Sequence, residues 1–167
     1  MKKRLYLPLA LIIVTLFGCS VKEPDLECIS DHISPISQPA FYITSDIPAG
    51  TFLSSSCDDG CCALFSHEDY EIVQEVFHAE DLDAAFFHLT GQVKENLKPV
   101  KVSSYSREGY RYAWTATGED GMLICSGALF QDGNCFYALS ILCQADQEKE
   151  YREIFSEILS SMELSPV

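Results

Sequence analysis

Residues 109–143 read GYRYAWTATGEDGMLICSGALFQDGNCFYALSILC. Here and just before, an acidic residue precedes glycine at intervals of twelve positions, at Glu108-Gly109, Asp120-Gly121 and Asp132-Gly133. Glycine tolerates a positive φ and the neighbouring carboxylate can bond the local backbone, so each pair predicts a hairpin turn. The segments between the pairs are rich in β-branched and aromatic residues. Together they predict a meander of four antiparallel strands from Val100 to Gln144.

Three aromatic residues, Tyr110, Tyr112 and Trp114, occupy alternate positions in the second of these strands. Alternate residues of a strand share one face of the sheet. Such a face can serve as a platform for a ligand. An aromatic face is more often covered by a helix, so the pattern favours a buried core.

Two helices are predicted to cover the sheet. In DQEKEYREIFSEILSSM (146–162), Asp146 is the candidate N-cap. One apolar stripe recurs there at steps of three and four residues, formed by Tyr151, Ile154, Phe155, Ile158, Leu159 and Met162. A shorter helix is predicted from Asp81 to Thr90, ending at Gly91.

Residues 67–78, HEDYEIVQEVFH, fit the period of a helix as well as that of a strand. Their β-branched content favours a strand, and we predict one. FYIT (41–44) and TFLSSSC (51–57) are also predicted strands. The prediction is an α+β fold, in which an antiparallel β-sheet of about six to eight strands is packed by two or more helices.

The first eighteen residues, MKKRLYLPLALIIVTLFG, place three basic residues before an apolar run from Leu5 to Phe17. That order is typical of a secretory signal peptide. The run is too short for a relaxed transmembrane helix, which needs about 20 residues. The segment can be an ordinary cleaved signal peptide, an uncleaved membrane anchor or a lipoprotein signal peptide.

The apolar run ends in Leu16-Phe17-Gly18-Cys19, which resembles the bacterial lipobox. The resemblance implies transfer of a diacylglyceryl group to the Cys19 thiol, cleavage after Gly18 and acylation of the new amino terminus. Two or three acyl chains hold a protein stably on a bilayer. The expected product is therefore exported and lipid-anchored to a bacterial membrane, on the outer face of the cell membrane or on the outer membrane of a diderm host.

The chain is predicted to have three parts: a lipoprotein signal peptide (1–18), a lipidated flexible tether (19–39) and one folded domain (40–167). The tether contains three prolines and four serines with no sustained period. The chain has 25 acidic and 11 basic residues, and residues 1–18 hold three of the basic and none of the acidic ones, so the mature protein has a formal charge of −17. Such a charge repels phosphates, and no nucleic acid partner is expected.

The order of elements from Phe41 to Leu164 resembles the PsbP and DcrB type of α/β sandwich, which the Ran-binding Mog protein and many small bacterial lipoproteins share. The resemblance rests on FYITSDIPAG (41–50), LDAAFFHLTG (82–91), GYRYAWTATGEDG (109–121), GNCFYALSILC (133–143) and YREIFSEILSSMEL (151–164). These motifs indicate the order of strands, turns and helices, and none of them is a catalytic motif. The resemblance implies a fold and a non-catalytic accessory or binding role, and it assigns no functional residue in this chain.

Residues 57–62 read CDDGCC. If Asp58-Asp59-Gly60 forms a three-residue hairpin loop, Cys57 and Cys61 face each other and form the predicted disulfide, while Cys62 points to the other face. The alternative is a thiol-redox or metal site built on Cys57, Cys61 and Cys62 with His67. Beyond Cys19 the chain has seven cysteines, an odd number, so they cannot all pair within one chain.

The remaining cysteines of the predicted meander are expected to be buried. In the hairpin at Asp132-Gly133, residue 130 is expected to face residue 135. This pairing places Cys125 on one face of the sheet and both Cys135 and Cys143 on the other. We interpret all three as small buried hydrophobic residues.

The sequence has no serine-hydrolase motif and no phosphate-binding loop, and its four histidines lack the spacing of zinc ligands. We therefore predict that the protein is not an enzyme. The predicted function is that of a membrane-anchored lipoprotein of the bacterial cell envelope, a non-catalytic binding or accessory module without a cofactor other than the lipid on Cys19. Its expected partner is an envelope protein or a small ligand. The alternative is a thiol-redox or metal-binding envelope protein, and the oligomeric state is left open.

Overall fold

The computed structural model describes residues 33–36, 39–57, 61–104, 107–118 and 120–167. The predicted signal peptide, the lipidation site Cys19 and the turn residues Asp58-Asp59-Gly60 lie outside these ranges. The strands are β1 Ile33–Pro35, β2 Phe41–Thr44, β3 Phe52–Ser56, β4 Cys62–Ser66, β5 Tyr70–Ala79, β6 Val100–Ser104, β7 Arg107–Gly118, β8 Gly121–Asp132, β9 Cys135–Gln144 and β10 Glu163–Pro166.

Within the described ranges, eight strands form one antiparallel sheet in the order β3-β4-β5-β9-β8-β7-β6. The eighth, β1, pairs with residues 77–79 of β5, next to the segment of β5 that pairs with β4. The strands β2 and β10 form a separate antiparallel pair. The antiparallel sheet of the predicted α+β fold is confirmed, and the strand predicted within 67–78 is β5.

The meander predicted from Val100 to Gln144 is confirmed as β6 to β9, with positive φ at Gly121 (134°) and Gly133 (61°) beside its turns. The turn predicted at Glu108-Gly109 is wrong, because Gly109 lies inside β7. A Cβ atom added to Gly109 would come within 2.6 Å of the Phe130 ring. Glycine is therefore required at position 109 because the Phe130 ring of β8 packs against its backbone, and not because the chain turns there.

The pairing of β8 with β9 differs from the prediction by two residues. Asp132, not residue 130, lies opposite Cys135, since the two turn residues are Gly133 and Asn134. A shift of two residues leaves every side chain on its predicted face. Accordingly, Cys125 packs with Val73 and Leu142 on one face, while Cys143 belongs to the core on the other face.

The described residues form three helices, α1 Leu82–Thr90, α2 Lys94–Leu97 and α3 Glu148–Ser160. At the start of α1 the Asp81 carboxylate accepts a hydrogen bond from the Ala84 backbone N–H at 2.8 Å, and Gly91 ends the helix in the left-handed conformation. Both boundaries were predicted. The N-cap predicted for α3 at Asp146 is wrong, because the cap is Gln147 and its side chain makes no capping bond.

Different elements cover the two faces of the main sheet. The helices α1 and α2 pack on one face, against a cluster that includes Phe77, Tyr112, Leu129 and Phe136. The helix α3 and the β2–β10 pair cover the other face. The result is an α+β sandwich with a buried apolar layer on each side of the sheet. Tyr110 and Tyr112 lie under Phe86 of α1, which confirms their prediction as core.

Residues 33–36 correct the predicted domain boundary. They fall within the segment predicted as tether (19–39), yet Ile33–Pro35 is paired with β5 and Ile36 is buried. The folded part therefore includes residues before position 40. None of the described helices is long and apolar enough to cross a membrane.

Candidate functional site

The CDDGCC segment forms a disulfide, but between different residues from those predicted. The bridge joins Cys57 to Cys62, with their Cα atoms 5.3 Å apart. The predicted Cys57–Cys61 pair is wrong because the register of β3 and β4 shifts between Leu53 and Ser55, and Ser56 lies opposite Ala63. Cys62 is thereby brought opposite Cys57, whose backbone N–H donates to the Cys62 carbonyl at 3.0 Å.

Cys61 takes a position in the core instead. Its side chain is only 7% exposed and packs in the cluster that also contains Ile36 and Tyr70. Its thiol donates a hydrogen bond to the Ile36 carbonyl. Cys61 thus links the β4 end of the sheet to the segment that follows β1.

The alternative metal set is not assembled. Cys57 and Cys62 are bonded to each other, Cys61 points into the core, and the His67 ring stacks on Tyr70 at 4.3 Å between centroids. Within the described ranges no group of three or more His, Cys, Asp or Glu side chains is arranged to hold a metal ion. The geometry indicates a structural disulfide that cross-links the ends of β3 and β4.

We expect the Cys57–Cys62 bridge to stabilise the fold by about 2 kcal/mol, the chain-entropy value for closing so short a loop. Replacing both cysteines with serine should lower the melting temperature of the full chain by roughly 5 °C. The internal control is a reductant, which should lower the melting temperature of the wild type and leave that of the double variant unchanged. Equal melting temperatures of wild type and double variant would show that the bridge contributes nothing.

Of the other described cysteines, Cys61, Cys125 and Cys143 are buried, whereas Cys135, which was predicted to be buried, is half-buried. Burial raises the pKa of Cys125 to about 12 and that of Cys143 to about 11. Burial also raises the pKa of Cys135. A thiol is reactive as its thiolate, which these environments disfavour at neutral pH.

A different group of side chains has the features of a binding site. On the face that α1 covers in part, the apolar layer continues past the helix to a small buried cluster of Val73, Cys125 and Leu142. Polar and aromatic side chains surround that end of the face. We call them the acidic aromatic patch, which consists of Glu71, Glu75, His88, Tyr112 and Trp114.

Two carboxylates of the patch lie on β5. Glu71 and Glu75 share their face with Val73, which lies between them and is 7% exposed. Burial raises the pKa of both glutamates. In the described part of the chain neither forms an ion pair with a lysine or arginine, and Lys94, Lys101 and Arg152 pair with other carboxylates.

His88 reaches Glu75 from the helix side. Its Nε2 lies 3.8 Å from a Glu75 carboxylate oxygen, and its ring contacts Phe77 at 4.6 Å between centroids. A protonated His88 lowers the pKa of Glu75 and so opposes the effect of burial. Both side chains are about one-third exposed, so solvent and solutes can reach the pair.

Tyr112 and Trp114 form the opposite side of the patch. Their rings stack with centroids 5.5 Å apart and planes inclined by 21°. Tyr112 packs directly over Gly127 of β8, since a Cβ atom there would come within 2.7 Å of the Tyr112 hydroxyl oxygen. The two rings therefore lean from β7 across the sheet toward β9 and β5.

The Tyr112 hydroxyl is a buried polar group without a hydrogen bond of ordinary geometry to any described residue. It is directed toward Ser140 on β9, and burial together with the charge of Glu75 raises its pKa. Ser140 is itself only 7% exposed. A hydrogen bond with the Ser140 side chain opposes that rise, so the hydroxyl is enclosed between the sheet and α1 with Ser140 as its polar neighbour.

Sequence patterns did not indicate this patch. Glu71 and Glu75 lie in a predicted strand with no motif around them, and the aromatic pattern of β7 favoured a core over a platform for a ligand. One signal was present in the sequence: Glu71, Val73, Glu75 and Phe77 are alternate residues, so a strand places two acids and two apolar residues on one face. Perturbed carboxylates beside aromatic rings are features of binding sites in general.

No family model matches the chain, and no curated protein matches its sequence. Solved structures do match it. LpqN of Mycobacterium tuberculosis, described as involved in cell envelope biogenesis, superposes with a TM-score of 0.56 and 10% identity, over 83% of this chain and 95% of that one. The cyanobacterial PsbP of Synechocystis sp. PCC 6803 gives a TM-score of 0.51 and 10% identity, over 77% and 94%.

The chain has the PsbP-like fold. The Saccharomyces cerevisiae Ran-binding protein Mog1p also matches, with a TM-score of 0.46 and 13% identity over 78% of this chain and 93% of that one. At these identities the likeness extends to the fold, which confirms the PsbP-like sandwich predicted from the sequence.

Proposed function

We propose that the protein is a lipid-anchored, non-catalytic binding module of the bacterial cell envelope. The observation that carries the proposal is Leu16-Phe17-Gly18-Cys19 at the end of a short apolar run preceded by three basic residues. A basic segment, an apolar segment and a small residue before the cleavage point are the parts of an export signal, and a cysteine directly after cleavage can take a lipid.

The folded part supports a binding role. It has a PsbP-like fold, which it shares with LpqN, a protein described as involved in cell envelope biogenesis. Burial raises the pKa of its Cys125 and Cys143 thiols, and burial also raises the pKa of Glu75, whose charge acts on Tyr112. In this proposal the lipid places the domain at the membrane, and the acidic aromatic patch is the surface that recognises a partner or a small ligand.

The test is to replace Cys19 with alanine in the full chain expressed in a bacterium that processes lipoproteins. We expect loss of fatty-acid labelling and release of the protein from the membrane fraction, because one thiol carries the whole anchor. The matched control is Cys28→Ala, the same substitution nine positions downstream and outside the lipobox, which should stay labelled and membrane-bound. Membrane retention and labelling of the Cys19→Ala chain would refute the anchor.

A further inference from the structure

We propose that β3 is a self-association strand, and that β3 of a second copy of this chain pairs with it antiparallel, edge to edge. The partner is another molecule of the same protein, joined through backbone hydrogen bonds and the apolar side chains at the edge. This inference goes beyond the proposed function, and it depends neither on the lipid anchor nor on the acidic aromatic patch.

The outer side of β3 is open and partly apolar. The strand is at one end of the sheet, with β4 on one side and no described strand on the other. All five residues of Phe52–Ser56 are exposed. Phe52 is 53% exposed and Leu53 is 55% exposed, and adjacent residues of a strand point to opposite faces. A strand added at this edge would therefore meet unpaired backbone groups and an apolar side chain on each face.

The two edge strands of the main sheet differ in their protection against pairing. Proteins commonly protect an edge strand with a charged side chain, often lysine, or with proline. The other edge, β6, carries Lys101, whose side chain is 69% exposed and forms an ion pair with Glu108 at 3.6 Å. The sequence of β3 is FLSSS, which contains neither a charged residue nor proline. Of the two edges, only β3 lacks a residue that opposes the addition of a strand.

Contacts with β4 hold β3 in the extended conformation that pairing requires. The Cys57–Cys62 disulfide fixes one end, where the Cys57 backbone N–H donates to the Cys62 carbonyl at 3.0 Å. Backbone groups alternate in direction along an antiparallel strand, so the N–H and carbonyl of the preceding residue, Ser56, point away from β4. The Ser54 hydroxyl donates to the Ser66 hydroxyl at 2.6 Å. Because the strand is already ordered, pairing costs it little conformational entropy.

The charge of the edge selects a second copy as the partner. The eleven residues 47–57 contain no charged side chain, in a chain that has 25 acidic residues. This segment attracts neither a basic nor an acidic strand, and the matching strand is one that is also uncharged and apolar, as β3 itself is. Asp58 and Asp59 directly follow the segment. Antiparallel pairing about a two-fold axis puts these acids of the two copies at opposite ends, whereas parallel pairing would set like charges side by side.

The size of the edge predicts a weak dimer. A stable interface buries about 1,200–2,000 Å² in total, and two paired strands of five residues bury less than that. Association is therefore expected at the local concentration of the protein in the cell, and is best measured there.

The experiment is photo-cross-linking in intact bacteria that express two copies of the full chain with different epitope tags. A benzophenone amino acid replaces Phe52 in one copy, and irradiation should give a covalent dimer that carries both tags. Leu53→Lys in both copies puts a charge on each edge and should lower the yield of this dimer about tenfold. Leu53 is exposed, so the melting temperature of the purified variant should equal that of the wild type.

The matched controls are at Val100, an apolar residue of the opposite edge β6 that is 65% exposed. The benzophenone residue at position 100 should give at least fivefold less dimer than at position 52. Val100→Lys should change the dimer yield from position 52 by less than twofold. Both results would support association through β3.

Four outcomes overturn the proposal. The first is the absence of a dimer from position 52, and the second is a product that contains only another protein. The third is an equal yield from positions 52 and 100, which would show crowding of the copies. The fourth is an unchanged yield with Leu53→Lys. The yield is measured in whole cells, whereas the Cys19→Ala experiment measures lipid labelling, so the two proposals fail independently.

Discussion

Replacing Phe86 with alanine is expected to lower the free energy of unfolding by about 3–5 kcal/mol, the usual cost of removing a fully buried phenylalanine ring. Phe86 is 0% exposed and is the side chain by which α1 holds the aromatic strand β7. Its ring contacts Tyr112 and Tyr110 edge-on, with centroids 5.1 and 5.8 Å away. Denaturant unfolding of the full chain measures the loss.

Phe87 offers a matched control for this substitution. It is the next residue of α1, is half-buried and lies outside the core clusters, so Phe87→Ala should cost much less. The Phe86 variant should also shift the emission of Trp114, because Tyr112 contacts Phe86 edge-on and stacks on that indole. Equal losses for the two variants would mean that α1 is not held through Phe86.

Replacing Gly127 with valine is expected to be the second most damaging change. A Cβ atom there would lie 2.5 Å from the Tyr112 ring, so the ring must move before any side chain can fit. Overpacking of a core costs about 1–3 kcal/mol, and a β-branched residue should reach the upper end of that range. Displacement of Tyr112 should also abolish its stacking with Trp114 and weaken binding at the patch.

The control for Gly127 is another glycine of the same meander. Gly118→Val places its Cβ atom 3.2 Å from the end of the Leu123 side chain, which can rotate away. Its expected cost is below 1 kcal/mol. If Gly118→Val and Gly127→Val are equally destabilising, the loss reflects the backbone freedom of glycine and not the Tyr112 contact.

Local chemistry explains which parts of the fold were predictable. The meander and α1 follow from signals within a few residues of each boundary: glycine at turns, Asp81 at an N-cap and Gly91 at a C-cap. The α3 boundary was displaced by one residue because Asp146 offers a capping carboxylate that the chain does not use. Gly109 resembled a turn glycine, and only the packing of Phe130 from the neighbouring strand distinguishes it.

The candidate site was not predictable for a related reason. Glu71 and Glu75 share a face of the sheet with Trp114 only because β5 pairs with β9, as where Val73 lies opposite Ser140, 67 positions later in the sequence. No local pattern specifies such a pairing. The disulfide partner likewise depended on an irregularity in β3, since a regular hairpin would have placed Cys61 opposite Cys57.

The pairing of Ile33–Pro35 with β5 limits the distance between the folded domain and a membrane that holds a lipid on Cys19. Fourteen peptide units separate Cys19 from Ile33, so even a fully extended chain spans at most about 50 Å. A lipid on Cys19 would confine the patch to a thin shell above the bilayer, and any binding partner at that membrane would meet it at a high local concentration. Modest affinity is then sufficient for occupancy.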